Sequence, residues 1–181
     1  MDFVRFSAPS HPALMAYQHD INGEAEIAKI PPCLLAAIVW RETGGRNILQ
    51  IGMDPGPGCG VGLTQITSDV DWSVPGKPTY EGYALLVPAD NLYVAAAFFL
   101  APDLAAAARL QRDDPAGFAA ACRGQQIYAA AGAFNGGEGA LRTAVAQGVD
   151  FDAFTTNDYA SDVLAKYLAL VTESRQNEVQ P

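Results

Sequence analysis

Apolar residues recur along most of this chain at three- and four-residue spacing, and that pattern predicts helices. From Pro12 to Ala28, the positions Leu14, Tyr17, Ile21 and Ala25 mark one face of a first helix. Asn22-Gly23 is its weak point, since glycine costs a helix interior about 1 kcal/mol. Pro31-Pro32 opens a second helix; proline is tolerated in a first turn, where its missing N–H would be unpaired anyway. Leu34, Ile38 and Glu42 then fall one turn apart on a single stripe, which Leu35 and Val39 widen. Gly44-Gly45 predicts a left-handed stop, leaving Glu42 in the last turn.

The helical period then breaks. Asp54, Pro55 and Pro57 stand among Gly52, Gly56, Gly58, Gly60 and Gly62. This predicts a loop with a short β-hairpin, and residues 66 to 87 stay turn-rich. The period returns at Pro88. LYVAAAFFLA is apolar nearly all round, which predicts a buried central helix, and LAAAARLQ prolongs the helical pattern through alanine. Further helices are expected over Asp114 to Arg123, over GQQIYAAAGAFNGG as far as Asn135-Gly136-Gly137, and over 138 to 147. Thr155-Thr156-Asn157-Asp158 offers caps for a last helix, YASDVLAKYLALVTE. Residues 1–10 read as an irregular arm and 175–181 as a polar tail. No repeat or linker interrupts the pattern. Residues 1–181 therefore read as one mainly α domain, a bundle around a buried helix with a small β-hairpin region.

Composition narrows the partners. A chain of 181 residues, half of them hydrophobic, can bury one core. A net charge of −9 argues against nucleic acid, whose binding rests on lysines and arginines. The nearest candidate, Val94 to Leu100, falls far short of the ~20 residues of a membrane span, so no membrane insertion is expected. The first residues lack the basic and apolar regions of a signal peptide. Cys33, Cys59 and Cys122 are odd in number, so at least one thiol is unpaired. Three buried free thiols, or a Cys33–Cys59 bridge, both fit. With no CxxC spacing and only His11 and His19, no metal and no cofactor are expected.

The remaining signal is acidic. Two carboxyl groups are the usual means of breaking a glycosidic bond, and one must stay protonated near neutral pH. Glu42 suits that part: its stripe is apolar and it lies at the negative end of a helix dipole, both of which disfavour the anion. Arg41 and Arg46 oppose this if they point at it. The partner should be an ionised carboxylate in a loop. Asp54 is the first candidate, followed by Asp69 and Asp71. A surface glutamate and a turn-forming aspartate are the plain alternatives.

Four blocks in order, LLAAIVWRETGG, GVGLTQIT, AAGAFNGGEGAL and DYASDVLAKY, resemble the signature of the goose-type lysozymes and soluble lytic transglycosylases. The blocks span about residues 12 to 174. The resemblance implies a lysozyme-like fold, mainly α with a small β-hairpin beside the active-site cleft. It implies cleavage of the β-1,4 bond between N-acetylmuramic acid and N-acetylglucosamine in peptidoglycan. Glu42 matches the family's catalytic acid and Gln65 the glutamine on the cleft wall. Phe134-Asn135 match the Tyr-Asn pair, and Tyr159 matches the late tyrosine near the acid. Tyr93, in the apolar helix, joins Gln65, Phe134, Asn135 and Tyr159 as a candidate for substrate binding. Asp54 falls close to the loop aspartate that holds water in goose-type enzymes. Their second such acid aligns with Thr67, and Asp69 follows two residues on. Thr64 replaces the usual methionine, and Phe134 removes a cleft hydroxyl.

Three readings follow. In an inverting muramidase, Glu42 protonates the leaving oxygen while Asp54, helped by Asp69, activates water. In a lytic transglycosylase, Glu42 acts alone and the muramic 6-hydroxyl replaces water. A catalytically silent binder of peptidoglycan or of a protein is the reading of another class. The expected partner is a peptidoglycan glycan strand, met by a monomer; an immunity or inhibitor protein would be a further partner. Without a leader, a wall-directed enzyme would be a phage lysin or an exported effector, or would have lost its leader.

Overall fold

The computed structural model describes residues 3–49, 59–67, 82–156 and 158–178. The described chain is mostly helical with one small antiparallel sheet, in agreement with the helical periodicity. The first predicted helix is two: α1 (Pro12–Met15) and α2 (Gln18–Ala28). The break falls at Ala16-Tyr17 and not at Asn22-Gly23. Asn22 is held inside α2 because its side chain is buried and fully engaged. It accepts from the Phe6 N–H at 2.8 Å and donates to the Phe6 and Gln18 carbonyls.

Those bonds also hold down the N-terminal arm, which is irregular over residues 3–10 as expected. Phe6 and Ala8 are fully buried. The Ser7 N–H donates to Ser174 Oγ at 2.9 Å, and Asn177 donates to the Ser7 carbonyl. The arm thus lies between α2 and α8 (Tyr159–Glu178), and α8 runs into the predicted polar tail as far as Glu178.

The helix α3 (Pro32–Thr43) starts with Pro32 in its first turn and stops at Gly44, whose φ of 64° is left-handed. Every residue from Pro31 to Val39 is buried. The all-round burial expected of Leu92 to Ala101 therefore belongs most fully to α3. Around it pack α1, α2, α7 (Gln126–Gln147) and α8.

Residues Pro88–Asp113 form one continuous helical run: α4 (Pro88–Val94), a π-helical stretch Ala95–Leu100, and α5 (Ala101–Asp113). Pro102 accounts for the wide turn. It brings no N–H and its ring crowds the preceding turn, so the chain re-pairs at longer range, with the Ala101 N–H bonded to the Ala96 carbonyl. By length and composition this run is apolar enough to cross a membrane, and half of its apolar window is buried within the protein. It extends beyond Val94–Leu100 because alanine carries the helix onward.

Helix α6 (Pro115–Cys122) is capped by Asp114, which accepts from the Gly117 N–H at 2.9 Å. The expected stop at Asn135-Gly136-Gly137 is a kink inside α7: Gly137 (φ 83°, ψ 157°) breaks the helical path, and the chain resumes as a helix beyond it. All three cysteines are buried and unbridged. Burial pushes the Cys122 thiol up to about 12.

Strands β1 (Ile48–Leu49), β2 (Gly60–Gly62) and β3 (Ile66–Thr67) form the sheet in that order. The β2–β3 hairpin turns through Leu63-Thr64-Gln65, with Gln65 left-handed at φ 52°. Gly62 has φ 78°, and a Cβ there would lie 2.4 Å from the Leu85 carbonyl, so only glycine fits.

Candidate active site

Glu42 stands in the last turn of α3, where the sequence pattern expects it. The neighbouring Thr43 is buried, and its hydroxyl reaches the Leu63 carbonyl at 2.9 Å. That bond ties the end of α3 to the hairpin turn. The turn is tied in its own right to α4 by the fully buried Asn91. Asn91 donates to the Val61 carbonyl at 2.9 Å and accepts from the Thr64 N–H and hydroxyl at 2.9 and 2.7 Å. Thr64 is therefore a hydrogen-bonding member of this joint, more than a change of packing volume.

Across from Glu42, the Tyr159 hydroxyl donates to Glu42 Oε1. Tyr159 is the first residue of α8 and only 3% exposed. Burial pushes the Glu42 carboxyl above its ordinary range, while the Tyr159 hydrogen bond and the Arg41 charge pull it back in part. The net direction is upward, as a general acid requires. Tyr159 is itself driven well up by burial and by the neighbouring carboxyl, so its hydroxyl stays a donor.

Arg41 does not turn its full charge on Glu42. Its guanidinium lies 5.2 Å from the centre of the Tyr159 ring, 3.3 Å from Asp162 Oδ2 and 3.5 Å from the Thr156 carbonyl. Asn135 reaches the same corner, since its side-chain oxygen accepts from the Thr156 N–H at 2.9 Å.

The start of α8 is fixed by residues that local sequence does not reveal. Of the caps expected at Thr155 to Asp158, Asn157 lies outside the described residues; a further cap comes from Asp152, in the 3-10 turn Phe151–Phe154. Asp152 accepts from the Ala160 N–H at 2.8 Å and from the N–H and hydroxyl of Ser161. Burial alone would raise this carboxyl, but the hydrogen bonds from Ser161 and Thr155 outweigh it and hold it low. Arg123 pairs with Asp150 at 3.1 Å and stacks over Tyr128, whose hydroxyl donates to Asp150. This group anchors the turn that places Tyr159. A cap eight residues upstream of Ala160 has no sequence signature.

The other candidates divide. Gln65 is engaged in the hairpin: its amide donates to the Ile48 and Gly62 carbonyls at 3.1 and 2.8 Å. Phe134 packs on Phe99, ring centres 5.4 Å apart, and Tyr93 meets Phe98 edge-on at 6.2 Å. Both therefore belong to an aromatic group along the π-helical turn. Asp54 and Asp69 lie outside the described residues. Among the described residues, no group of three or more His, Cys, Asp or Glu side chains could hold a metal ion. No protein-family model matches the chain, and no curated protein matches it.

Proposed function

We propose that the chain is a peptidoglycan-cleaving glycosidase of lysozyme-like fold, related to goose-type lysozymes and soluble lytic transglycosylases, with Glu42 as its general acid. The observation that carries the reading is the Glu42–Tyr159 contact. A carboxyl at a helix end, raised by burial and held in one geometry by a buried tyrosine, is placed to give a proton to a leaving sugar oxygen. The four sequence blocks support the same assignment. Two of them, RETGG and DYASDVLAKY, supply the two sides of this contact, although they lie more than a hundred residues apart.

In the hydrolytic reading, Asp54 with Asp69 directs water to the opposite face of the sugar. In the second reading, the muramic 6-hydroxyl attacks and Glu42 serves as the acid without a water-holding aspartate. Purified cell walls decide. Clearing by the wild type, lost in Glu42→Gln, supports the proposal, and mass spectrometry of the products separates hydrolysed from 1,6-anhydro ends. Equal clearing by both proteins removes Glu42 from its role, and absence of clearing by both favours a silent binder.

A further inference from the structure

We propose that Asp162 is a positioning residue for Glu42: it holds the Arg41 guanidinium against the Tyr159 ring and so keeps that cation from pairing with the Glu42 carboxyl. The inference rests on the assignment of Glu42 as the acid and goes one step beyond it. Arg41 and Glu42 are neighbours at the end of α3, and a free guanidinium there would seek the nearest carboxylate. A full ion pair would stabilise the anion and empty Glu42 of its proton in the range where an acid is needed.

The geometry supplies another carboxylate. Asp162 lies one helical turn beyond Tyr159 on α8, so α8 presents the tyrosine to Glu42 and the aspartate to Arg41. Asp162 Oδ2 is buried and accepts no hydrogen bond among the described residues, which leaves the Arg41 charge at 3.3 Å to compensate it. Its Oδ1 receives Lys166, whose ammonium also lies 5.3 Å above the Trp40 ring. Asp162 is thereby fixed from behind. The Thr156 carbonyl and the Tyr159 ring complete the seat of Arg41. Tyr159 from α8 and Arg41 from α3 act on the Glu42 carboxyl; Asp162 with Lys166 behind it faces Arg41, and Arg46 is held at the end of α3 by the Thr43 carbonyl at 3.0 Å.

The test reads the Glu42 carboxyl directly, by carbon NMR titration of the whole chain, with Glu42→Gln to assign the signal. Asp162→Asn releases Arg41 and should lower the titration midpoint by roughly half a pH unit or more. Arg41→Gln should raise it, the double variant should match Arg41→Gln because Asp162 acts through that cation, and Asp162→Glu should keep the wild-type midpoint. An unmoved midpoint in Asp162→Asn, or single variants that move it in the same direction, would overturn the proposal. If Asp162→Asn does not fold, Arg41→Gln decides, since a midpoint that fails to rise refutes the clamp. The alkaline limb of wall clearing should follow each midpoint. Midpoints that move as stated in a protein that clears no wall would overturn the function and leave the Arg41 clamp standing.

Discussion

Glu42 and Asp103 are both carboxyls that burial pushes upward, in surroundings that differ in kind. Glu42 receives a tyrosine hydroxyl, has a cation beside it, and sits where a helix end, a hairpin and a second helix start converge. Asp103 lies on α5 at 8% exposure and takes no hydrogen bond among the described residues. Burial, and then the Glu138 charge, raise it to about 7. Glu138 in turn is held by Arg109 at 3.0 Å and by Arg142. A raised carboxyl therefore does not by itself define a site. Glu42 has an oriented donor that keeps the group in one geometry, whereas Asp103 bears the cost of burial with no such donor.

The largest expected effect breaks the pair apart by activity. Glu42→Gln should lower the rate of wall cleavage by about 10³-fold, within the range that positioned proton transfer supplies. Asp103→Asn should leave that rate within about threefold; a comparable loss there would erase the distinction.

Stability reverses the order. Asp103 folds with its carboxyl at about 7 against an ordinary 3.8. Its neutral form is the one the fold accepts, so its contribution is complete below about pH 4 and is lost as pH rises through 7. Asp103→Asn should therefore melt higher than wild type at pH 8 to 9, by a difference worth no more than about 4 kcal/mol. The gap should close below pH 4. Calorimetry at both pH values checks this, and a constant difference would show that charge is not the cause.

Smaller changes sharpen the comparison. Tyr159→Phe removes the donor and makes Glu42 more like Asp103. Because that hydrogen bond stabilises the carboxylate, its loss should move the alkaline limb of the pH–rate profile upward while the rate falls about tenfold, the equivalent of ~1.4 kcal/mol. Asp152→Ala removes the cap of α8 and should cost about 1–2 kcal/mol in denaturant unfolding. Its low carboxyl makes that loss largest above pH 4 and smaller as the wild-type group is protonated.

Local readings succeeded where a feature depends on neighbours in sequence. Pro32 starting α3, Gly44 ending it, Asp114 beginning α6 and Gly137 breaking α7 are each decided within one or two turns. Glu42 at a helix end follows from the same rules. Failures occurred where distant groups compete. Asn22 stays helical because the arm needs its amide. No local pattern announces Asp152 as the residue that reaches the Ala160 and Ser161 N–H groups. Asn91 had no motif at all, since its partners Val61 and Thr64 lie on another element.

The sequence by itself determined a mainly helical chain, most of its helix ends and an acid at the end of an apolar helix, because periodicity, glycine, proline and short caps act over a few residues. Only the tertiary structure decided what that acid meets. Tyr159 and Asp162 come to Glu42 and Arg41 from the far end of the chain, the seat of Tyr159 depends on Asp152, and the hairpin is held by Thr43 and Asn91. Burial and long-range hydrogen bonds set the protonation of Glu42, and these arise when α3 and α8 pack together.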